Sequence, residues 1–211
     1  MSEFAALVRF VHLTAAIVLA GGFGFRLFVA QPTFVRTKGQ AETCVAVLFV
    51  TLLLGLWLQA ANVVGLLSTD FQSLILLLTE TQFGKVWLAR MALLIFIAVV
   101  VRWRTPEPPA KLFLLSGFTL SAGLLAALAV AGHAAAADGI ALALQVSADA
   151  LHLLASGIWL GGLVPLACLL RECNRDVDTT RFAVAREATR RFSNLALASV
   201  IVLICTGLYN T

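Results

Sequence analysis

The chain has 211 residues, of which 61% are apolar and 12% charged, and its mean hydropathy is +0.97. Soluble domains run at about 45–50% apolar and about 25% charged. The composition therefore excludes a soluble enzyme, a disordered chain and a disulfide scaffold, and it leaves an integral membrane protein. The formal net charge of +4 carries no nucleic-acid signature, because the basic residues fall in separate loops and form no long run.

A hydrocarbon core of about 30 Å takes about 20 helical residues. The first helix is expected over 7–29, where Arg9 and Arg26 sit near the two ends and can snorkel. Glu3, Arg26 and the bulky Phe28 do not suit a cleaved secretory signal, so this segment reads as a retained helix. The second helix, 43–67, lies in an uncharged window. The apolar run SLILLL that follows, flanked by Asp70 and Glu80, is too short to cross and reads as an interfacial helix over 71–79. The third helix, 84–102, contains Arg90 about two turns in. Helices four to six are expected over 112–134, 144–169 and 191–210. The expected fold is all-α: one integral-membrane domain, a polytopic bundle of about six transmembrane helices. Cys44, Cys168, Cys173 and Cys205 form no CxxC pair and read as small buried hydrophobes.

Charge sets the expected orientation. Arg36 and Lys38 follow the first helix, and Arg102, Arg104 and Lys111 follow the third. Six arginines from Arg171 to Arg191 follow the fifth. The connection AAAADGIAL between the fourth and fifth helices has no basic residue. The positive-inside bias then puts three loops in the cytoplasm and both chain ends on the periplasmic side. The mixed-charge segment from Arg171 to Arg191 reads as a solvated surface helix or loop.

In so apolar a chain, ionisable residues within the spans are the default functional candidates. His12 lies about one turn into the first helix, His133 at the end of the fourth, and His152 two turns into the fifth. All three fall toward the outer face, with an expected spread in depth of roughly 10 Å. Imidazole suits copper and other late divalent metals, and three such groups from three helices could hold a copper ion. Each histidine is alternatively an interhelical hydrogen-bonding residue. With two methionines in the chain, a Met-rich Cu(I) conduit is not supported.

On the fifth helix Asp149, His152, Ser156 and Trp159 follow at helical spacing and form one polar stripe. Asp149 could orient a metal-bound imidazole through its second N–H, or pair with Arg90. Gln59 and Asn62, three apart on the second helix, could line the same cavity or bond across helices. Gly157 and Gly161 form a GxxxG that lets another helix approach. No hydrolase, metalloprotease or phosphate-cradling motif is present, so the chain reads as a non-enzyme.

Five stretches carry a family resemblance: RFVHLTAAIVLAGGFGFRLFV, TQFGKVWLARMALL, the GHA at 132–134, LHLLASGIWLGGLVPL and FSNLALASVIVLICTGLYN. Together, in this order, they resemble the copper resistance protein D (CopD) family from about residue 8 to residue 210. The resemblance implies a multi-pass protein of the bacterial inner membrane. Such a protein takes copper at its periplasmic face for transfer across the membrane or to a partner, beside a periplasmic carrier of the CopC type. The family's histidines match His12, His133 and His152; its members are usually longer. Two rival readings stand beside this one. Paired histidines on different helices could ligate haem, giving a b-type cytochrome. The chain could also be a non-catalytic assembly partner of a larger membrane complex.

Overall fold

The computed structural model describes residues 2–29, 38–64, 71–102, 111–133, 139–175 and 179–210, which are helices and short turns with no strand among them. In chain order these are α1 (Ser2–Phe28), α2 (Lys38–Val64), α3 (Phe71–Glu80), α4 (Gln82–Arg102), α5 (Lys111–His133), α6 (Ile140–Ser156), a π-helical turn (Gly157–Gly161), α7 (Gly162–Arg175) and α8 (Thr179–Tyr209). Six stretches are long and apolar enough to cross a bilayer: α1, α2, α4, α5, the continuous α6–π–α7 and α8. The protein is a polytopic membrane helix bundle.

The helices outrun the apolar windows because a charged residue ends a span without ending a helix. At 1.5 Å per residue α8 is about 46 Å long, against a hydrocarbon core of about 30 Å. Its start is charged, and Glu187 accepts from Arg190 at 3.0 Å and Arg191 at 2.8 Å. The described residues of the arginine-rich segment are thus helical, at the end of α7 and the start of α8.

α1 is the hub and packs against α2, α5, the π turn and α7. Around its middle, Ala16, Leu19, Ala20 and Phe23 meet Leu48 and Leu52 of α2, Leu94 and Ile97 of α4, and Leu124 and Leu125 of α5. A second cluster at its far end joins Phe25 and Val29 to Leu166 and Leu169 of α7 and to Ala185, Ala188 and Phe192 of α8. On the outside, Phe10 (67% exposed), Phe96 (61%) and Leu197 (63%) stand clear of the bundle. That is stable only where the surroundings are hydrocarbon. Cys44 and Cys173 are buried, but Cys168 and Cys205 are exposed and join this periphery, which corrects the expectation that all four are core residues. Against lipid a thiol needs no burial within the protein.

Two local breaks position the rest. Gly161 lies four residues before Pro165, which has no N–H to return to the Gly161 carbonyl. The backbone relieves this with the π turn. The same turn touches α1 backbone to backbone: a Cβ at Gly21 would fall on the Gly161 main chain, and a Cβ at Gly161 on the Ile17 carbonyl. The second break is Thr81, the single residue between α3 and α4. Its hydroxyl donates to the Leu77 carbonyl at 2.6 Å and accepts the Gly84 N–H at 3.0 Å, which caps α4.

Candidate functional site

His12 is buried, with 4% exposure, and both of its nitrogens are engaged. Nδ1 is 2.7 Å from Thr51 Oγ1 of α2. Nε2 is 2.7 Å from Arg90 Nη2 of α4. The proton positions follow from donor arithmetic. A guanidinium can only donate, so Nε2 accepts. Thr51 directs its one hydroxyl hydrogen back to Val47 O at 2.7 Å, shared with Leu48 O at 3.2 Å. It must therefore accept from His12, so Nδ1 carries the proton. Two independent partners impose the same neutral tautomer.

The α4 face that delivers Arg90 is built at a spacing of three. Thr81 caps the helix. Gly84 lies bare against α3, where a Cβ would meet the Leu77 and Leu78 main chain. Trp87 donates its indole N–H to Leu52 O of α2 at 3.0 Å. Arg90 then reaches His12. The stretch TQFGKVWLAR is thus the account of how one cation is aimed at one imidazole.

His152 repeats half of this arrangement. Its Nδ1 is 2.9 Å from Thr206 Oγ1 of α8, and Thr206 gives its own hydrogen to Val202 O at 2.7 Å, shared with Leu203 O at 3.3 Å. With that hydrogen on the backbone the hydroxyl accepts from Nδ1 and Nε2 keeps the lone pair; unlike His12, His152 has no second described partner that fixes the tautomer independently. No hydrogen bond from a described residue reaches that Nε2. The ring lies beside Gly207, its Cε1 3.9 Å from where a Cβ would sit, an ordinary contact distance. One turn toward the helix start, Asp149 accepts from the Asn210 side chain. The TGLYN segment thus supplies His152 with a partner and a neighbouring rung.

The π-turn contact sets the level of the histidines. Ile17 and Gly21 of α1 meet Gly157 and Gly161, so α1 and α6 run in the same direction in register. His12 lies five residues before Ile17 and His152 five before Gly157, which places them level, about 7.5 Å from that contact. Leu125 of α5 reaches Gly157, and His133 lies eight residues further along α5, about 12 Å. The helix registers therefore bring the three within about 4.5 Å along the bundle axis. The wider spread expected from the sequence came from counting from helix starts at 7 and 144, whereas α1 starts at Ser2 and α6 at Ile140, nearly level in this register.

The lateral arrangement differs from a single cluster. The partners of His12 come from α2 and α4, and those of His152 from α8. Among the described residues, no three of His, Cys, Asp and Glu gather closely enough to hold a metal ion. The backbone of His133 ends α5, and its side chain lies outside the described residues. Arg90 takes His12 and Asp149 takes Asn210, so the Asp149–Arg90 pair considered from the sequence is replaced by two separate pairs. Ser156 is buried. Trp159, inside the π turn, packs with the second core cluster instead of extending the His152 stripe. Gln59 is half-buried and Asn62 exposed, and no hydrogen bond among the described residues ties either to a histidine.

Magnitudes argue that these bonds orient more than they stabilise. A hydrogen bond between membrane helices contributes about 0.6 kcal/mol on average, whereas an arginine inside a span costs about 2.5–3.5 kcal/mol on insertion scales. One neutral acceptor does not offset that cost with a margin. Thr51 and Thr206 are the residues the sequence reading passed over. Their signal is a hydroxyl within an apolar helix, which differs little from the back-bonded threonines found in many helices.

Residues 1–144 match the family model for the copper resistance protein D-like N-terminal domain. Copper resistance protein D of Pseudomonas syringae pv. tomato is 29% identical over 212 residues, covering 96% of this chain and 67% of that protein. Copper transport protein CutJ of Bacillus subtilis (strain 168) is 32% identical over 214 residues, covering 96% of this chain and 38% of that protein. Inner membrane protein YebZ of Escherichia coli (strain K12) is 29% identical over 133 residues, covering 62% of this chain and 42% of that protein. The match thus spans under half the length of each of the last two relatives. No solved structure matches. The family match covers most of the chain and holds both His12 and its two partners, and the chain belongs to the copper resistance protein D-like family.

Proposed function

We propose that this chain is a copper-handling protein of the bacterial inner membrane. It binds copper as cargo toward the periplasmic face and passes it across the membrane or to a partner, without enzymatic chemistry. The observation that carries this reading is the pair of level imidazoles, His12 and His152, each with Nδ1 against a threonine hydroxyl that also reaches a carbonyl of its own helix. That arrangement keeps the Nε2 lone pair, the nitrogen a borderline metal takes. His133, ending the helix that packs against both α1 and α6, is the third ligand of the proposal. Asp149 adds negative charge one turn from His152.

The family and the relatives named for copper resistance and copper transport support the copper assignment. The positive-inside distribution of arginines supports a periplasmic position for the histidines and for both chain ends. A periplasmic carrier of the CopC type fits as the source or recipient of the ion.

The test is metal analysis and an absorption spectrum on one detergent-purified sample, followed by copper titration. Stoichiometric copper that falls on His152→Ala and His12→Ala substitution supports the reading. Unchanged binding in all three His→Ala variants removes the site. A Soret band in the same spectrum would replace copper with haem.

A further inference from the structure

We propose that Arg90 is a built-in competitor for the cargo at His12. It holds the ligand nitrogen while the site is empty and must be displaced before a cation can bind there. The inference rests on the reading of His12 as a copper ligand.

Three observations carry it. The Arg90 guanidinium donates to His12 Nε2 at 2.7 Å, and with Nδ1 protonated toward Thr51 this is the one lone pair the ring has. A hydrogen bond and a metal bond on that lone pair exclude each other. Arg90 also has no carboxylate partner among the described residues, and its Nε is buried without a hydrogen-bond partner there. Among the described residues the guanidinium is thus held by a neutral ring alone and is left with an unused donor. Finally, its aim is not accidental: Trp87, one turn earlier, is anchored to Leu52 O, the residue next to Thr51.

The two imidazoles are therefore unequal. His152 Nε2 meets no described donor, whereas His12 Nε2 is covered by a cation. Copper arriving at the level of the two histidines adds a second positive charge in a low-dielectric region where no described carboxylate neutralises the guanidinium, which disfavours the Arg90–His12 contact. The arrangement admits the ion in an order, His152 first and His12 after Arg90 leaves. It also keeps His12 from holding the ion too tightly, because the guanidinium competes to return.

The test uses the full chain in detergent and copper buffered with bicinchoninate for Cu(I) or with glycine for Cu(II). Arg90→Gln should tighten copper binding on the order of tenfold, and His12→Asn in the same background should abolish the gain. Arg90→Lys, which keeps a cationic donor, should restore most of the competition. Where Arg90→Gln does not fold, phenylglyoxal labelling of Arg90 in the unmodified sequence replaces it: copper should raise labelling, and His12→Asn should raise it without copper. Copper bound by the parent chain with equal or weaker affinity in Arg90→Gln, or labelling indifferent to copper, overturns the competitor. A parent chain that binds no copper at all overturns the copper reading itself, and the two failures are told apart by that control.

Discussion

Thr51 accepts a hydrogen bond from His12 Nδ1 at 2.7 Å while giving its own hydrogen to Val47 O at the same length. Thr206 does the same for His152, with Val202 as its acceptor. In both places a carbonyl four positions back on the threonine's own helix takes its hydrogen and leaves its oxygen to accept from an imidazole on another helix. Replacing either threonine by Val keeps the shape and removes the acceptor. The Nδ1–H is then left unpaired; the His152 ring becomes free to take the other tautomer, whereas Arg90 still holds His12 as Nδ1–H. Copper affinity should fall about tenfold in Thr51→Val and in Thr206→Val, the lower end of effects seen when a ligand's hydrogen-bonding partner is lost. Serine at either position should restore it. Competitive copper titration reads the affinity, and nitrogen-15 NMR of labelled histidine reads the tautomer.

The π turn gives a stability prediction with its own control. A Cβ at Gly161 would overlap the Ile17 carbonyl, whereas a Cβ at Gly55 of α2 meets nothing within 4 Å. Backbone cannot yield as a flexible side-chain tip can. Gly161→Ala should therefore cost about 1–3 kcal/mol or more, the usual penalty of overpacking. Gly55→Ala should be neutral or add up to about 1 kcal/mol through helix propensity. Thermal unfolding in detergent of the two variants, side by side, checks the contrast. Because the same contact sets the register of α1 and α6, copper binding should suffer in the first variant and not in the second.

Trp87 lies three residues before Arg90 and ties α4 to Leu52 O at 3.0 Å. Phenylalanine keeps the ring's bulk and removes the donor. Trp87→Phe should destabilise the protein by about 1 kcal/mol, the net contribution of a typical hydrogen bond. It should also loosen the Arg90–His12 contact. Phenylglyoxal labelling of Arg90 should rise in this variant without copper, and unchanged labelling would show that Arg90 is aimed by something else.

How much of this was legible in the sequence follows from which partners are local. The six spans were, because a span is a property of one continuous window of uncharged residues. The TQFGKVWLAR stretch was visible as a pattern. Its meaning was not, since Gly84 answers to Leu77, Trp87 to Leu52 and Arg90 to His12, all at unrelated distances along the chain. The Asp149–Arg90 pairing from the sequence followed depth alone, and depth does not say which face of the bundle a side chain occupies. Trp159 was placed on the His152 stripe by assuming 3.6 residues per turn throughout. The π turn at Gly157–Gly161 breaks that period, and its one sequence signal is Pro165, four residues past Gly161. Thr51 and Thr206 were missed because a threonine in an apolar helix usually bonds only its own backbone. Here it does that and accepts an imidazole as well.

Asp149 separates attraction from ligation. Its carboxylate sits three residues before His152 and accepts from Asn210. Asparagine at this position keeps the size and an acceptor oxygen and removes the negative charge. If the acid draws the cation toward His152 without binding it, Asp149→Asn should slow copper association several-fold at low ionic strength and leave the stoichiometry unchanged. Charges near an aqueous surface are screened over about 8 Å at physiological salt and about 3 Å at 1 M. The difference between the two proteins should therefore shrink as salt is raised. Stopped-flow measurement of copper binding at two salt concentrations decides it. A loss of stoichiometry in Asp149→Asn would make the carboxylate a ligand. A rate difference that ignores salt would make its role positional, through the Asn210 contact.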